Sequence, residues 1–154
     1  MDEREDAYGR LILDAIDGKK PIEVVERDDG FVFAYHSDHL IEPFRHWQPV
    51  ERRAQRFIRG RVLDIGCGAG RLCLHLQERG LDVVGIDNSP GAVEGSRRRG
   101  ARDVRLWAID EIDERLGSFD TLVMLGNNFG LLGDERTARR ALRRLHAVTR
   151  PGGG

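Results

Sequence analysis

The spacing of apolar residues changes near residue 61, and that change divides the chain. Before it, Leu11, Ile12, Ala15 and Ile16 recur at helical spacing with Gly18 as a stop, which predicts a helix over about residues 5–17. In "IEVVERDDGFVFAYHSD" two β-rich runs flank Asp28-Asp29-Gly30, and Asp-Gly between such runs is a strong hairpin signal. The stretch "PVERRAQRFIR" puts Val50, Ala54, Phe57 and Ile58 on one face and Pro49 in a first turn, predicting a short helix with that face inward.

After residue 61, short apolar runs alternate with amphipathic ones. "RVLDI", "DVVGID", "DVRLWAID" and "FDTLVMLG" read as buried strands. "GRLCLHLQERG" reads as a helix with Leu72, Cys73 and Leu76 inward and Gly80 as its stop. "SPGAVEGSRRRG" opens with Ser89 as N-cap and Pro90 in the first turn, and closes at Gly100. "DERTARRALRRLHAVTR" carries Ala138, Ala141, Leu142, Leu145 and Val148 on one stripe. Strands alternating with helices predict an α/β fold, a doubly wound, mostly parallel sheet with helices on both faces. The N-terminal helix and hairpin would be an addition to it.

The first core strand runs into "LDIGCGAG", which places glycines at 66, 68 and 70 before a helix. Such a loop lies at the carboxyl edge of the sheet, where ligands of these folds bind. Glycines permit its unusual dihedrals and let a ligand approach the backbone, and the following helix offers free N–H groups. A dinucleotide fingerprint would need glycine or alanine at position 71, which is arginine, and no Gly-Lys-Ser/Thr follows as a phosphate loop would require. Asp87 ends the next strand, where a carboxylate can accept hydrogen bonds from both hydroxyls of a ribose. The loop and the acid together point to an adenosine ligand.

The motifs "VLDIGCGAG", "VVGIDNSP", "WAID", "FDTLVMLGNN" and "TRPGG" resemble, in order and spacing, those of class I (Rossmann-like) S-adenosylmethionine-dependent methyltransferases. The resemblance covers roughly residues 50 to 154 and implies S-adenosyl-L-methionine as cofactor. It implies that Gly66, Gly68 and Gly70 face the methionine part of the cofactor, with Cys67 a small side chain that fits the same stretch. Asp64 would hold the ammonium directly or through water, Asp87 the ribose hydroxyls, and Asn88 would lie beside the adenine. Asp110 would contact the adenine amino group with Glu111 near it, and Leu125 and Gly126 would supply backbone at the methionine end. "LGNNFGLL" is similar to a segment of glycine N-methyltransferases, which implies Asn127 and Asn128 near the methyl and its acceptor; a simple turn explains two asparagines equally well. The Asn-Pro-Pro-Tyr segment of nucleic-acid amino methyltransferases is absent, so a small-molecule acceptor is expected. No catalytic base is assigned, because the methyl donor supplies its own electrophile and the protein mainly has to align the reactants.

In that family "RPGG" precedes a fifth strand, and the chain stops there. The resemblance therefore implies a domain over residues 50–154 cut short before its fifth to seventh strands, which puts the activity of this chain in doubt. Residues 1–49 would be an N-terminal extension, with a lid role open to Tyr35, His36, His39 and Trp47. The fourth core strand would be an edge, covered either by self-association into a homodimer or by the hairpin. The alternative is a non-catalytic module that binds S-adenosylmethionine or another adenosine ligand.

Composition adds exclusions. With a net charge of −1 over 154 residues, bulk attraction to nucleic acid or an anionic membrane is not expected. Arg139, Arg140, Arg143 and Arg144 read as the solvated face of a helix. No apolar run is long enough to span a bilayer, the acidic start is unlike a secretory signal, and the only cysteines, Cys67 and Cys73, form neither a disulfide framework nor a paired metal site. A cytoplasmic protein without a metal is the expectation.

Overall fold

The structure, a computed structural model, describes residues 6–126 and 128–153. Helix α1 (Ala7–Ile16) is followed by the hairpin of β1 (Ile22–Glu26) and β2 (Val32–His36), which pair antiparallel. Gly30 closes the turn at φ 80°, its N–H donating to the Arg27 carbonyl at 2.8 Å, while the Arg27 N–H donates to Phe31 O at 2.9 Å. This is a three-residue loop with its last residue left-handed, a role suited to the glycine of Asp-Gly. Helix α2 (Pro49–Ala54) leads by a 3₁₀ turn, Gln55–Phe57, into the main sheet.

That sheet contains β3 (Val62–Ile65), β4 (Val83–Asp87), β5 (Val104–Leu106) and β6 (Thr121–Val123), all parallel, in the order β5-β4-β3-β6. Between them run α3 (Arg71–Glu78) and α4 (Pro90–Arg98), and α5 (Glu135–Ala147) follows β6. Alternation along each strand builds two cores. Val62, Val83, Val104 and Val123 pack with Leu72, Cys73, Leu76 and Val93 on the α3/α4 side. Leu63, Ile65, Val84 and Ile86 pack with Phe119, Leu145 and Val148 on the α5 side. The fold is the expected doubly wound α/β sheet, with an antiparallel hairpin added.

Several local expectations are corrected. The stretch 103–110 is strand only over Val104–Leu106, because Ile109–Glu111 coil into a 3₁₀ turn. The stretch 119–126 is strand only over Thr121–Val123. Across α2 and the 3₁₀ turn after it, Val50 and Phe57 are 70% and 71% exposed, whereas Glu51, Gln55 and the following Ile58 are buried. The inward face is set by Glu51, whose carboxylate pairs with Arg71 and accepts from the Gln48 N–H, and not by the apolar count. On α5, Ala141 and Leu145 are buried but Leu142 faces out.

The β6 edge is covered neither by the hairpin nor wholly open. Residues after α5 lie parallel against its N-terminal end: Phe119 N–H donates to Val148 O at 2.8 Å, and Arg150 N–H donates to Phe119 O at 2.9 Å. Arg150 also bonds Asp120 at 2.6 Å, and Asp120 accepts from the Arg61 N–H. The Pro151-Gly152 pair then turns the chain, with Gly153 N–H donating to Arg150 O at 2.8 Å and Gly152 at φ 79°.

Helix α1 is docked onto α4 at close range. A Cβ placed on Gly91 would stand 2.6 Å from the Gly9 Cα, so the two backbones touch where only glycines allow it. The Asp6 carboxylate serves both helices, accepting from the N–H groups of Gly9 and Gly91 and from the Ser89 hydroxyl, each at 2.8 Å. Burial opposes its charge, but these hydrogen bonds outweigh burial and hold the carboxyl below the usual range.

Candidate functional site

At the carboxyl ends of β3, β4 and β6 lies a cavity of about 1020 Å³. It sits where the strand order reverses, between β3 and β6, which is where open sheets of this type leave a crevice. The floor is the loop after β3. Gly66, Gly68 and Gly70 have φ of 71°, 52° and 73°, left-handed values that explain glycine at alternate positions. The N–H groups of Gly66 and Cys67 both donate to Ile86 O, which ties the loop to β4. Ser96 from α4 bonds Gly68 O at 2.7 Å and Arg99 bonds Ala69 O at 2.6 Å, so the loop is clamped from behind.

Asp87 is buried at the end of β4. One carboxylate oxygen accepts from Gly68 N–H at 2.9 Å and the other from Ser89 N–H at 3.0 Å. Burial raises its carboxyl above the ordinary value, against the pull of those two bonds. The Asn88 N–H also contributes; a carboxylate has about four acceptor positions, so capacity toward the cavity remains. Asp64, fully buried on the α3 side of β3, accepts from the Cys73 thiol at 3.4 Å. Desolvation pushes its carboxyl up to about 7, the thiol bond only partly opposing it.

Of the residues singled out in the sequence, Asp64, Gly66, Cys67, Gly68, Asp87, Asn88, Asp110, Leu125, Gly126 and Asn128 all line this cavity. Gly70 does not: it is the N-cap of α3, and a Cβ there would meet Ser96. Glu111 turns away to accept from the Ala108 N–H of its own turn. Asn128 spends its amide nitrogen on the carbonyls of Ile65 and Gly66, at 2.9 and 2.8 Å, and so steadies the loop. Asn127 lies outside the described residues. His36, His39 and His46 do not gather into a metal site; among the described residues no cluster of three or more His, Cys, Asp or Glu forms one.

The N-terminal part supplies residues that the sequence reading missed. Tyr8 lines the cavity above Gly68, and burial, with the nearby Asp87 charge, pushes its phenol up to about 12. Arg71, first residue of α3, bonds Glu42 at 3.1 Å and Glu51 at 3.3 Å and lies over the Trp47 ring at 4.8 Å. Phe44 stacks on His75 of α3 at 4.1 Å, and Trp47 is buried against it. Arg71→Ala would release this strap and leave Glu51 with less compensation. We expect a loss of about 1–3 kcal/mol in urea unfolding, below the fully buried limit because the pair is partly exposed. Faster proteolytic cleavage within residues 37–48 should accompany it.

Comparison with known proteins agrees with this architecture. The model of the methyltransferase domain family matches residues 62–153, so the chain belongs to that family. It is similar to a glycine/sarcosine N-methyltransferase of Parasynechococcus marenigrum, 35% identical over 60% of this chain and 35% of that protein. It is also similar to a ubiquinone biosynthesis O-methyltransferase of Methylocella silvestris, 32% identical over 86% of this chain and 53% of the relative. Among solved structures, a methyltransferase from Bacteroides fragilis in complex with S-adenosyl-L-homocysteine superposes with a TM-score of 0.86. The two are 30% identical, over 99% of this chain and 64% of that one. The chain thus spans about a third to a half of the length of these curated relatives. No helix among the described residues is long and apolar enough to cross a membrane.

Proposed function

We propose that this chain is the cofactor-binding part of an S-adenosylmethionine-dependent methyltransferase with a small-molecule acceptor. The observation that carries the reading is Asp87, a buried strand-end carboxylate with acceptor capacity to spare, beside a left-handed glycine loop in one cavity. The cofactor would supply a methyl group already activated as a sulfonium. Asp87 would accept from the ribose hydroxyls, Asp110 and Asn88 would lie toward the adenine, and the loop backbone with Leu125 and Gly126 would face the methionine end. Residues 6–49 would close the site from above, strapped by Arg71 and keeping water out. The setting fits a cytoplasmic protein, in which the buried free cysteines stay reduced. A second copy pairing along β6 beyond the Phe119–Thr149 bridge is the self-association this sheet would allow, and sedimentation would detect it.

Calorimetric titration with S-adenosylmethionine and S-adenosylhomocysteine tests the reading. Saturable binding of both is expected, and folded protein that binds neither at millimolar ligand overturns it. Asp64 adds a pH signature. Its carboxyl, raised to about 7 in the free protein, would ionise as the cofactor's ammonium arrives. Binding should therefore release a proton below pH 7, with affinity rising as pH increases from 6 and levelling above about 7.5. The sign reverses for stability: a raised acid favours the ligand-free fold below its unfolded value and loses that advantage as pH climbs through 7. Asp64→Asn should accordingly abolish the proton release while raising ligand-free stability by roughly 1–2 kcal/mol above pH 7. Proton release measured by calorimetry in buffers of different ionisation enthalpy checks it.

A further inference from the structure

One group of side chains on the cavity wall takes no part in the cofactor contacts above. Glu23 of β1, Tyr35 of β2 and His39 of the 3₁₀ turn Ser37–Leu40 all line the cavity. Glu23 Oε2 is buried with no hydrogen bond of ordinary length, the Tyr35 hydroxyl is a neighbouring donor to the same carboxylate, and His39 Nε2 stands 3.9 Å from Oε2. The other ring nitrogen, Nδ1, lies 3.2 Å from the His36 carbonyl, which can only accept. In the neutral ring Nδ1 therefore carries the proton, and Nε2 is left as an acceptor. Two acceptors thus face each other across a gap too long for a hydrogen bond between them.

We propose that Glu23 and His39 form an amine-binding subsite, and that the methyl acceptor carries a protonated amino group which docks there. That the docked amine is the methyl acceptor rests on the methyl-transfer reading; the subsite itself rests only on this geometry. A nitrogen bridging both atoms at the usual ~2.9 Å sees them about 85° apart, so two N–H bonds reach both with modest bending. A hydroxyl brings one proton and leaves an acceptor unmet. Charge points the same way, since Glu23 offers a carboxylate whose desolvation a cation would offset.

Of the rings beside it, Tyr35 and His39 line the cavity with centroids 5.0 Å apart, and the row continues outside it along the hairpin to Phe33 and Phe31, at 5.6 and 5.8 Å in turn. A carboxylate next to aromatic faces is the surrounding that favours an organic cation. Burial raises the Tyr35 phenol, and the Glu23 charge and a hydrogen bond to Glu23 add to the shift, so the tyrosine stays a neutral donor that an ammonium would join on the same carboxylate.

Benzylamine and benzyl alcohol are suitable probes because they share a ring and differ in the polar group. In protein saturated with S-adenosylhomocysteine, benzylamine should shift the His39 ring resonances saturably, and benzyl alcohol at equal concentration should not. Glu23→Gln should weaken benzylamine at least tenfold while S-adenosylhomocysteine affinity stays within twofold, which also shows the variant is folded; His39→Phe should behave alike by calorimetry. Equal shifts from the alcohol, no benzylamine binding, or unchanged affinity in Glu23→Gln each overturn the subsite. If S-adenosylhomocysteine itself fails to bind, the cofactor reading falls, and the same titration on free protein still decides the subsite.

Discussion

Asp87→Ala is expected to weaken S-adenosylhomocysteine binding by at least about 100-fold, from two lost charge-assisted hydrogen bonds at about 1.5 kcal/mol each. The side chain also organises the loop before any ligand arrives, through the N–H groups of Gly68 and Ser89. Removing it orphans the Gly68 donor, so part of the lost affinity should come from a less fixed glycine loop. Asp87→Asn separates the two contributions. Its amide oxygen can still accept one backbone bond, but its nitrogen cannot accept from a ribose hydroxyl. We expect Asp87→Asn to fall between wild type and Asp87→Ala, with thermal stability nearer wild type. Adenine alone should bind both variants nearly as well as wild type, because it brings no ribose. Affinity for S-adenosylhomocysteine within threefold of wild type in Asp87→Ala would sink the role given to this residue.

Asp87 was legible in the sequence because everything that defines it is local: a β-rich run, an acid at its end, and a capped helix behind Ser89. The same holds for the glycine loop, where three left-handed residues in alternation strongly favour glycine. Long-range pairing was not legible. Arg71 served the sequence reading only as the residue that spoils a dinucleotide fingerprint, yet in the fold it ties Glu42 and Glu51 to the start of α3. Neither carboxylate is near it in sequence, and no local pattern marks either one as its partner. That pairing also explains the misassigned face of α2. Helical periodicity counts Val50 and Phe57 as core, but an acid drawn inward by an arginine turns the helix the other way.

Strand lengths failed for a related reason. "DVRLWAID" and "FDTLVMLG" are apolar to their ends, and periodicity cannot tell a residue that continues a strand from one that lines a cavity. In the fold, Trp107, Ala108, Ile109 and Leu125 leave the sheet and form the cavity wall. Tyr8 shows the limit most clearly. It sits in a helix whose sequence says only that one face is apolar, and its place above Gly68 follows from how that helix docks.

That docking makes the other large prediction. Gly91→Ala, within the first turn of α4, would by helix propensity alone gain up to about 1 kcal/mol. Here it is expected to cost about 2–4 kcal/mol, because the new Cβ meets the Gly9 backbone at 2.6 Å and backbone cannot swing aside as a side chain does. Gly9→Ala should cost a similar amount, since its Cβ would stand 2.7 Å from the Gly91 Cα and against the Asp6 carboxylate. The double variant should lose much less than the sum, for once the helices are prised apart the second methyl meets nothing new. Urea unfolding of the three proteins gives the cycle. Function should follow stability here, because separating α1 from α4 breaks the Asp6 bonds to Ser89 and Gly91 and lifts Tyr8 from the loop. Cofactor affinity should therefore fall several-fold in protein that is still folded. Gly91→Ala as stable as wild type would mean that the helices do not cross at these glycines, and Tyr8 would lose its place in the site with them.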